Sequence, residues 1–270
     1  MLNGKKVLLI ITGGIAAYKS LELVRKLKEK GADVIPVMTK AAENFVTPMS
    51  VSALAQEKVF NKLFDLTDEA EMGHIELSRS SDLIIVVPAS ADFIAKTATG
   101  QANDLASTLI LATDTKVLMA PAMNVRMWEN PLTQKNIKIL HNNGVKFVGP
   151  DEGEMACGEF GFGRMAEADE ILKEIEANFR DKKLKGLHFL VTSGPTIEPI
   201  DPVRFIGNRS SGLQGGAIAN ELVESGAEVT FITGPVNLDP PHGSNIIRVE
   251  TADEMYDAVH SSLPADAAVF

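Results

Sequence analysis

The sequence predicts an α/β protein in which parallel strands are covered by helices on both faces, repeated in two successive units. Three observations predict it. Short runs such as Val7–Ile11 and Leu83–Val87 are apolar without interruption, as strands buried on both faces are. Longer amphipathic stretches separate these runs, so strand and helix alternate. After the charged segment DKKLKG at 181–186 the same alternation begins again, which marks 181–186 as a linker between residues 1–180 and 187–270. A chain of 270 residues with 45% hydrophobic content has the material for one large or two medium cores.

Each element follows from its residues. Val7–Ile11 reads as a buried strand, and Ile15–Lys30 as a helix with Leu21, Val24 and Leu27 on one stripe and Gly31 as its stop. Val34–Met38 is the next strand, and a mostly helical stretch runs to about Ser80. Leu83–Val87 is a strand closed by Pro88, Asp104–Ala112 a helix, Lys116–Ala120 a strand. Pro131–Asn142 reads as a helix and Val145–Val148 as a strand. A glycine-rich loop follows, with glycines 149, 153, 158, 161 and 163, and leads into a helix over Ala166–Arg180. The second unit gives strands at His188–Thr192, Glu228–Thr233 and Ile246–Val249, and helices at Gln214–Ser225 and Thr251–Ser262. A last strand begins at Ala265, so the second unit is expected to be an incomplete domain of a longer protein.

The formal net charge of −10 argues against nonspecific nucleic-acid binding, which needs basic surface. It leaves room for anionic ligands, because helix N-termini hold phosphate through backbone amides. A single cysteine makes no internal disulfide and fits a reducing cytoplasm. No apolar stretch reaches membrane-spanning length, and the N-terminal run leads straight into a glycine turn rather than a cleavage site.

Five segments offer chemistry. In ITGGIAAYKS a strand runs into Gly13-Gly14 and then a helix, either a phosphate-binding turn or a tight strand-to-helix connection. The later glycine of a dinucleotide fingerprint is missing, so a mononucleotide such as flavin mononucleotide (FMN) suits the turn better than NAD. In VVPASADFIAKTATGQANDL, Ser90 and Asp92 stand at the carboxyl end of a strand, while Asn103 and Asp104 suit a helix cap. In VLMAPAMNVRMW, Asn124 offers an uncharged amide for a carboxylate, or is a plain turn residue beside packing methionines. His74, in EMGHIELSRS, opens an expected helix and titrates near neutrality, as an acid–base group must; a surface histidine is the alternative. The other histidines, at 141, 188, 242 and 260, show no metal-ligand spacing, so no structural zinc is expected. The fifth segment, VTSGPTIEPIDPVRFIGNRSSGLQGGAIA, is dense in glycine and hydroxyls before a helix and suits a nucleotide phosphate or acyl phosphate. Cys157 lies in the glycine-rich loop, where it is either a small apolar filler or a thiol on a mobile flap.

Taken in order, GGIAAYK, GHIEL, PASADFIAK, PAMNVRMW and ACGEFGFGRM, followed by GPTIEPIDPVRFIGNRSSG, resemble the bifunctional phosphopantothenoylcysteine decarboxylase/phosphopantothenate–cysteine ligase family of coenzyme A synthesis. The resemblance covers essentially the whole chain. It implies a flavodoxin-like, Rossmann-like three-layer flavoprotein domain over 1–180 and the first part of a Rossmann-like ligase domain over 187–270. In that family a flavin oxidises the cysteine portion of the substrate to a thioaldehyde, carbon dioxide leaves, and the reduced flavin returns its electrons.

By matching motifs, the resemblance implies His74 as base, Asn124 as the holder of the substrate carboxylate and Cys157 as the proton donor of the final reduction. It implies FMN held by Gly13, Gly14, Ile15, Ala16, Thr39, Ser90 and Met123, and Asn208 as the residue of the ligase intermediate. It further implies CTP and Mg2+ for the ligase half of the complete protein. The substrates would be 4′-phospho-N-pantothenoylcysteine, 4′-phosphopantothenate and cysteine. The protein would be a cytoplasmic homo-oligomer built on trimers, with a dodecamer as one size. Leu213 stands where that family usually has a basic residue, and the later nucleotide-binding segments of the ligase lie beyond Phe270, so ligase activity is not expected of these residues alone. A related flavin-dependent cysteine decarboxylase and a non-catalytic flavin-binding regulatory subunit are the alternatives.

Overall fold

The computed structural model describes residues 2–63, 77–155, 158–180 and 182–270. His74 and Cys157 lie outside the described residues. Two compact units divide the chain, Met1–Phe179 and Arg180–Phe270.

The first unit is built on five parallel strands: β1 (Lys6–Ile11), β2 (Asp33–Met38), β3 (Leu83–Ala89), β4 (Val117–Pro121) and β5 (Lys146–Phe147), in the order β2-β1-β3-β4-β5. The apolar runs feed two cores through the strands' period of two. Val7, Leu9, Ile11, Leu83, Ile85 and Val87 join one cluster; Leu8, Ile10, Ile84 and Val86 join the other. On the first face lie α1 (Ala17–Glu29), α2 (Pro48–Ala55) and a helix over 168–179; on the second lie three helices over 91–98, 105–111 and 131–142. Burial of each such aliphatic side chain contributes about 1.5–3 kcal/mol, so the sheet is the rigid part of the unit. The order in which strands are added reverses between β1 and β3, the switch point outside whose carboxyl ends open sheets bind ligands.

Two local readings need amendment. Pro88 does not close β3; the strand runs to Ala89, and its register with β4 shifts between Val86 and Ala89. A proline is tolerated there because the ladder is already interrupted. The stretch after it, to which the sequence reading gives no element, forms α3 (Ala91–Ala98), because the Ser90 side chain accepts from the Phe93 N–H at 3.3 Å and starts the helix. Next come α4 (Leu105–Leu111), whose N-cap is Asp104 in a reciprocal pair with Ser107, then α5 (Val125–Glu129) and α6 (Pro131–Asn142). Asp104 therefore takes the capping role.

The glycine-rich loop is also more ordered than its composition suggests. Strands β6 (Asp151–Glu154) and β7 (Phe160–Arg164) pair antiparallel as a hairpin, and α7 (Ala168–Phe179) follows. Glycine supplies freedom in solution but is required here by close packing. Gly161 and Gly163 have φ of +146° and +142°, which L side chains rarely adopt. A Cβ on Gly161 would stand 2.8 Å from Val125 Cγ2, and one on Gly163 would overlap the Met123 carbonyl oxygen.

The second unit has a parallel sheet of β8 (His188–Ser193), β11 (Glu228–Thr233), β12 (Asn245–Arg248) and β13 (Ala267–Val269), in the order β12-β11-β8-β13. Between β8 and α8 (Leu213–Glu224), a stretch the sequence reading leaves as loop forms a hairpin of β9 (Ile197–Pro199) and β10 (Phe205–Gly207). A last helix, α9 (Ala252–Ser261), carries no buried residue. The core of this unit gathers around Val191, Ala219, Val229 and Phe231. Leu184, within 181–186, packs on that core, and its N–H donates to the Ser225 carbonyl at 3.1 Å.

Candidate active site

At the carboxyl ends of β1 and β4 a cavity of about 530 Å³ opens beside the first turn of α1. That volume is in the usual range of a small-molecule site. Gly14, Ile15 and Ala16 line one side and Ala122, Met123 and Asn124 another; Glu154, Met155, Gly163 and Arg164 bring in the hairpin. The structure therefore gathers Gly14, Ile15, Ala16, Met123 and Asn124 in one place, as the motifs imply.

The β1–α1 turn is fitted for an anion. The backbone N–H groups of Ile15 and Ala16 donate to no other described residue, while those of Ala17 and Lys19 turn inward to the Gly14 and Ala16 carbonyls at 3.0 Å each. Orphan amides at a helix N-terminus hold phosphate, aided by the helix dipole. A Cβ added to Gly14 would meet nothing within 4 Å, so packing does not explain this glycine; the open space belongs to the cavity. Both observations fit the phosphate end of a mononucleotide.

Three of the residues that the resemblance implies for the cofactor have contacts within the scaffold. Gly13 lets the neighbouring loop approach, since a Cβ there would stand 2.6 Å from Ala41 Cβ. Thr39 Oγ1 accepts from the Ala42 N–H at 3.3 Å, just ahead of the turn over Ala42–Asn44. Ser90 caps α3, and its own N–H donates to Thr12 Oγ1 at 3.0 Å. Thr12 Oγ1 in turn donates to the Pro88 carbonyl at 2.7 Å, which ties the ends of β1 and β3 together. These residues stand around the switch point without lining the cavity.

Asn124 caps α5, with Oδ1 accepting from the Met127 N–H at 2.9 Å. Its amide nitrogen donates to no other described residue. The cap thus fixes the side chain and leaves two N–H donors beside the cavity. The hairpin docks on the same loop: the Met123 N–H donates to the Gly163 carbonyl at 3.0 Å.

A charged group that the motif reading passes over stands at the rim. Glu167 Oε1 accepts from Lys19 Nζ at 2.8 Å and also pairs with Arg164. Hydrogen bonds from Lys19 first, and from Arg164, hold the Glu167 carboxyl below the usual glutamate range. Asp151, opposite Arg164 in the hairpin, is pushed above the usual aspartate range, first by burial and then by Glu170. Lys19 and Arg164 belong to the AAYK and FGRM runs, so their signal was a basic residue at or next to the end of each motif. Nothing local in the sequence marks Glu167 as the residue that joins them.

Asn208 lies in the second unit. Its Oδ1 accepts from the Ser210 N–H at 2.8 Å and shapes the turn before Gly212, which begins α8. Here Ser193 Oγ donates to the Gly212 carbonyl at 3.0 Å.

Comparison with known proteins agrees with this geometry. Residues 1–180 match the Flavoprotein family, and residues 184–270 match the DNA/pantothenate metabolism flavoprotein C-terminal domain. The chain is 50% identical over 258 residues to the coenzyme A biosynthesis bifunctional protein CoaBC of Vibrio vulnificus, covering 96% of this chain and 64% of that protein. The chain thus spans just under two thirds of the length of that relative. Among solved structures, a mutant PPC decarboxylase complexed with pantothenoylaminoethenethiol matches at a TM-score of 0.59 and 30% identity, over 64% of this chain and 96% of that one. The FMN binding protein AtHal3 matches at 0.58 and 30%, over 65% and 96%. The strand order, the amide turn beside Gly14 and the family match lead to one conclusion: through residues 1–180, the chain belongs to the flavoprotein family.

Proposed function

We propose that residues 1–180 form an FMN-dependent decarboxylase that converts 4′-phospho-N-pantothenoylcysteine to 4′-phosphopantetheine. Residues 187–270 would then be the first part of a phosphopantothenate–cysteine ligase domain. The observation that carries this reading is that a phosphate-type amide turn and the Asn124 carboxamide line one cavity, which Glu154, Gly163 and Arg164 of the β6–β7 hairpin also line. The similarity to CoaBC supports the substrate, and the similarity to an FMN binding protein supports the flavin.

When bound, FMN supplies reversible two-electron chemistry at the carbon–sulfur unit of the substrate cysteine. The chain's own residues bind and orient. The N–H groups of Ile15 and Ala16 receive the cofactor phosphate at the head of α1. Asn124 donates its amide N–H to the substrate carboxylate, and an uncharged donor does so without pinning the group against loss as carbon dioxide. By motif match, His74 removes a proton near neutral pH and Cys157 returns one. The hairpin excludes water, which strengthens these polar contacts. The complete protein would use CTP and Mg2+ in its ligase half, with Asn208 at that site, and would act as a cytoplasmic homo-oligomer.

The test is direct. The chain is incubated with FMN and 4′-phospho-N-pantothenoylcysteine, and carbon dioxide and product are followed by mass spectrometry. One carbon dioxide per 4′-phosphopantetheine is expected; a protein that takes up no flavin and leaves the substrate intact contradicts the reading.

A further inference from the structure

The hairpin is held at two places. Along β7, Gly161 and Gly163 pack on Val125 and Met123. At its stem, the last residue of β7, Arg164, pairs with Glu167. The same carboxylate oxygen receives Lys19 from the first turn of α1, the turn that follows Gly14. The Lys19 side chain is only 13% exposed, and its Nζ lies 3.4 Å from the Met165 carbonyl, so it reaches Glu167 from a largely enclosed position. Glu167 is itself fixed from behind, its N–H donating to Glu170 Oε2 at 3.1 Å. Lys19, Arg164 and Glu167 all line the cavity.

A carboxylate shared by two cations from different elements is a fixed joint. Removing it leaves Lys19 partly enclosed with only the longer contact to the neutral Met165 carbonyl, and that costs more than loss of an exposed pair. We propose that Glu167 is a positioning residue of the decarboxylase site, joining the stem of the hairpin to the first turn of α1 so that the hairpin stays closed over the cavity. The proposal rests on the decarboxylase reading for its consequence in turnover, but the joint itself is tested without turnover. Glu167 touches neither reacting atom; it acts through Lys19 and Arg164.

The experiment compares wild type, Glu167→Gln and Glu167→Asp in the FMN-loaded chain. Hydrogen exchange is read over 151–164, with 131–142 as the internal control. The glutamine variant is expected to exchange about tenfold faster over 151–164 and unchanged over 131–142, because only the joint is lost. In turnover it should lower kcat about tenfold with KM little changed, since a loosened hairpin misplaces groups without removing a binding contact. Glu167→Asp keeps the charge and should restore part of both. Wild-type exchange over 151–164 in the glutamine variant overturns the proposal. Should that variant not fold, Lys19→Met removes one arm and carries the same exchange comparison, with wild-type exchange again overturning it. If wild type fails to turn over, the decarboxylase reading falls while the exchange result still decides the joint.

Discussion

Both units place a glycine-bearing segment at the carboxyl end of a central parallel strand, yet the glycines do different work. In the first unit Thr12–Ala16 connects β1 to α1, and Gly14 faces open space. In the second unit the connection from β8 to α8 carries its own hairpin, and its glycines are occupied by packing. A Cβ on Gly194 would stand 2.8 Å from Val236 Cγ1, one on Gly212 3.1 Å from the same atom, and one on Gly207 3.0 Å from Ile197 Cγ2. A glycine-rich strand-to-helix segment is thus not in itself a ligand site; the question is what a side chain there would meet. The two sheets differ likewise. The first is buried on both faces, whereas in the second β12 and β13 are largely exposed and α9 buries nothing.

The comparison can be broken most sharply at the hairpin. Gly163→Val meets both a backbone angle that valine rarely adopts and the Met123 carbonyl. It is expected to cost about 3 kcal/mol or more in the docked state and to lower product formation about a hundredfold. Product assays beside far-ultraviolet circular dichroism check this; normal turnover would show that the hairpin is not part of the site.

Alanine at three glycines sharpens the contrast between the units. Gly13→Ala should destabilise the first unit by about 1–3 kcal/mol through Ala41. Gly14→Ala should change stability by less than about 1 kcal/mol while weakening FMN binding, because its Cβ enters the cavity rather than the protein. Gly212→Ala, at φ +76°, should cost about 1 kcal/mol and leave FMN binding untouched. Melting curves and flavin titrations separate the three; equal flavin affinity in wild type and Gly14→Ala would remove the amide turn from the cofactor site.

Smaller effects come with acid. The folded-state pKa of Glu167 is depressed, so its stabilisation is present above the ordinary glutamate value and lost as pH falls through the lowered one. Asp151 has the opposite sign: its raised value favours the folded state at low pH, an advantage lost as pH rises through it. Lys19, Arg164 and Glu170 are the other charged groups facing this pair. The exchange difference between wild type and Glu167→Gln should therefore shrink below pH 4.5, the ordinary glutamate value. In the second unit Arg204, with the Val203 and Arg204 N–H groups, lowers Asp201 in the same direction, but that pair is exposed and its loss should be the least visible. A difference over 151–164 that persists unchanged into acid would contradict the role given to the carboxylate.

Much of this was legible in the chain. Continuous apolar runs marked β1 and β3, because strands buried on both faces carry few polar residues, and Pro131 with Asn142 bounded α6 to the residue. The hairpins were not legible. β6–β7 and β9–β10 are held by glycine contacts and short pairings rather than by apolar alternation, so composition read them as loops. Gly14, Ile15, Ala16, Met123 and Asn124, which the motifs singled out, line one cavity. Gly13, Thr39 and Ser90 share those neighbourhoods but spend their side chains or their space on the scaffold. Glu167 was missed because Lys19, which it joins to nearby Arg164, lies 148 residues away, and only folding brings the two together.

Asn124→Asp tests the central claim most directly, because aspartate caps a helix as well as asparagine and changes little but the charge at the cavity. The account predicts a variant that melts within about 1 kcal/mol of wild type and binds FMN. That variant should release carbon dioxide from 4′-phospho-N-pantothenoylcysteine at least about a hundredfold more slowly, since a carboxylate now faces a carboxylate. Carbon dioxide release at the wild-type rate would contradict it.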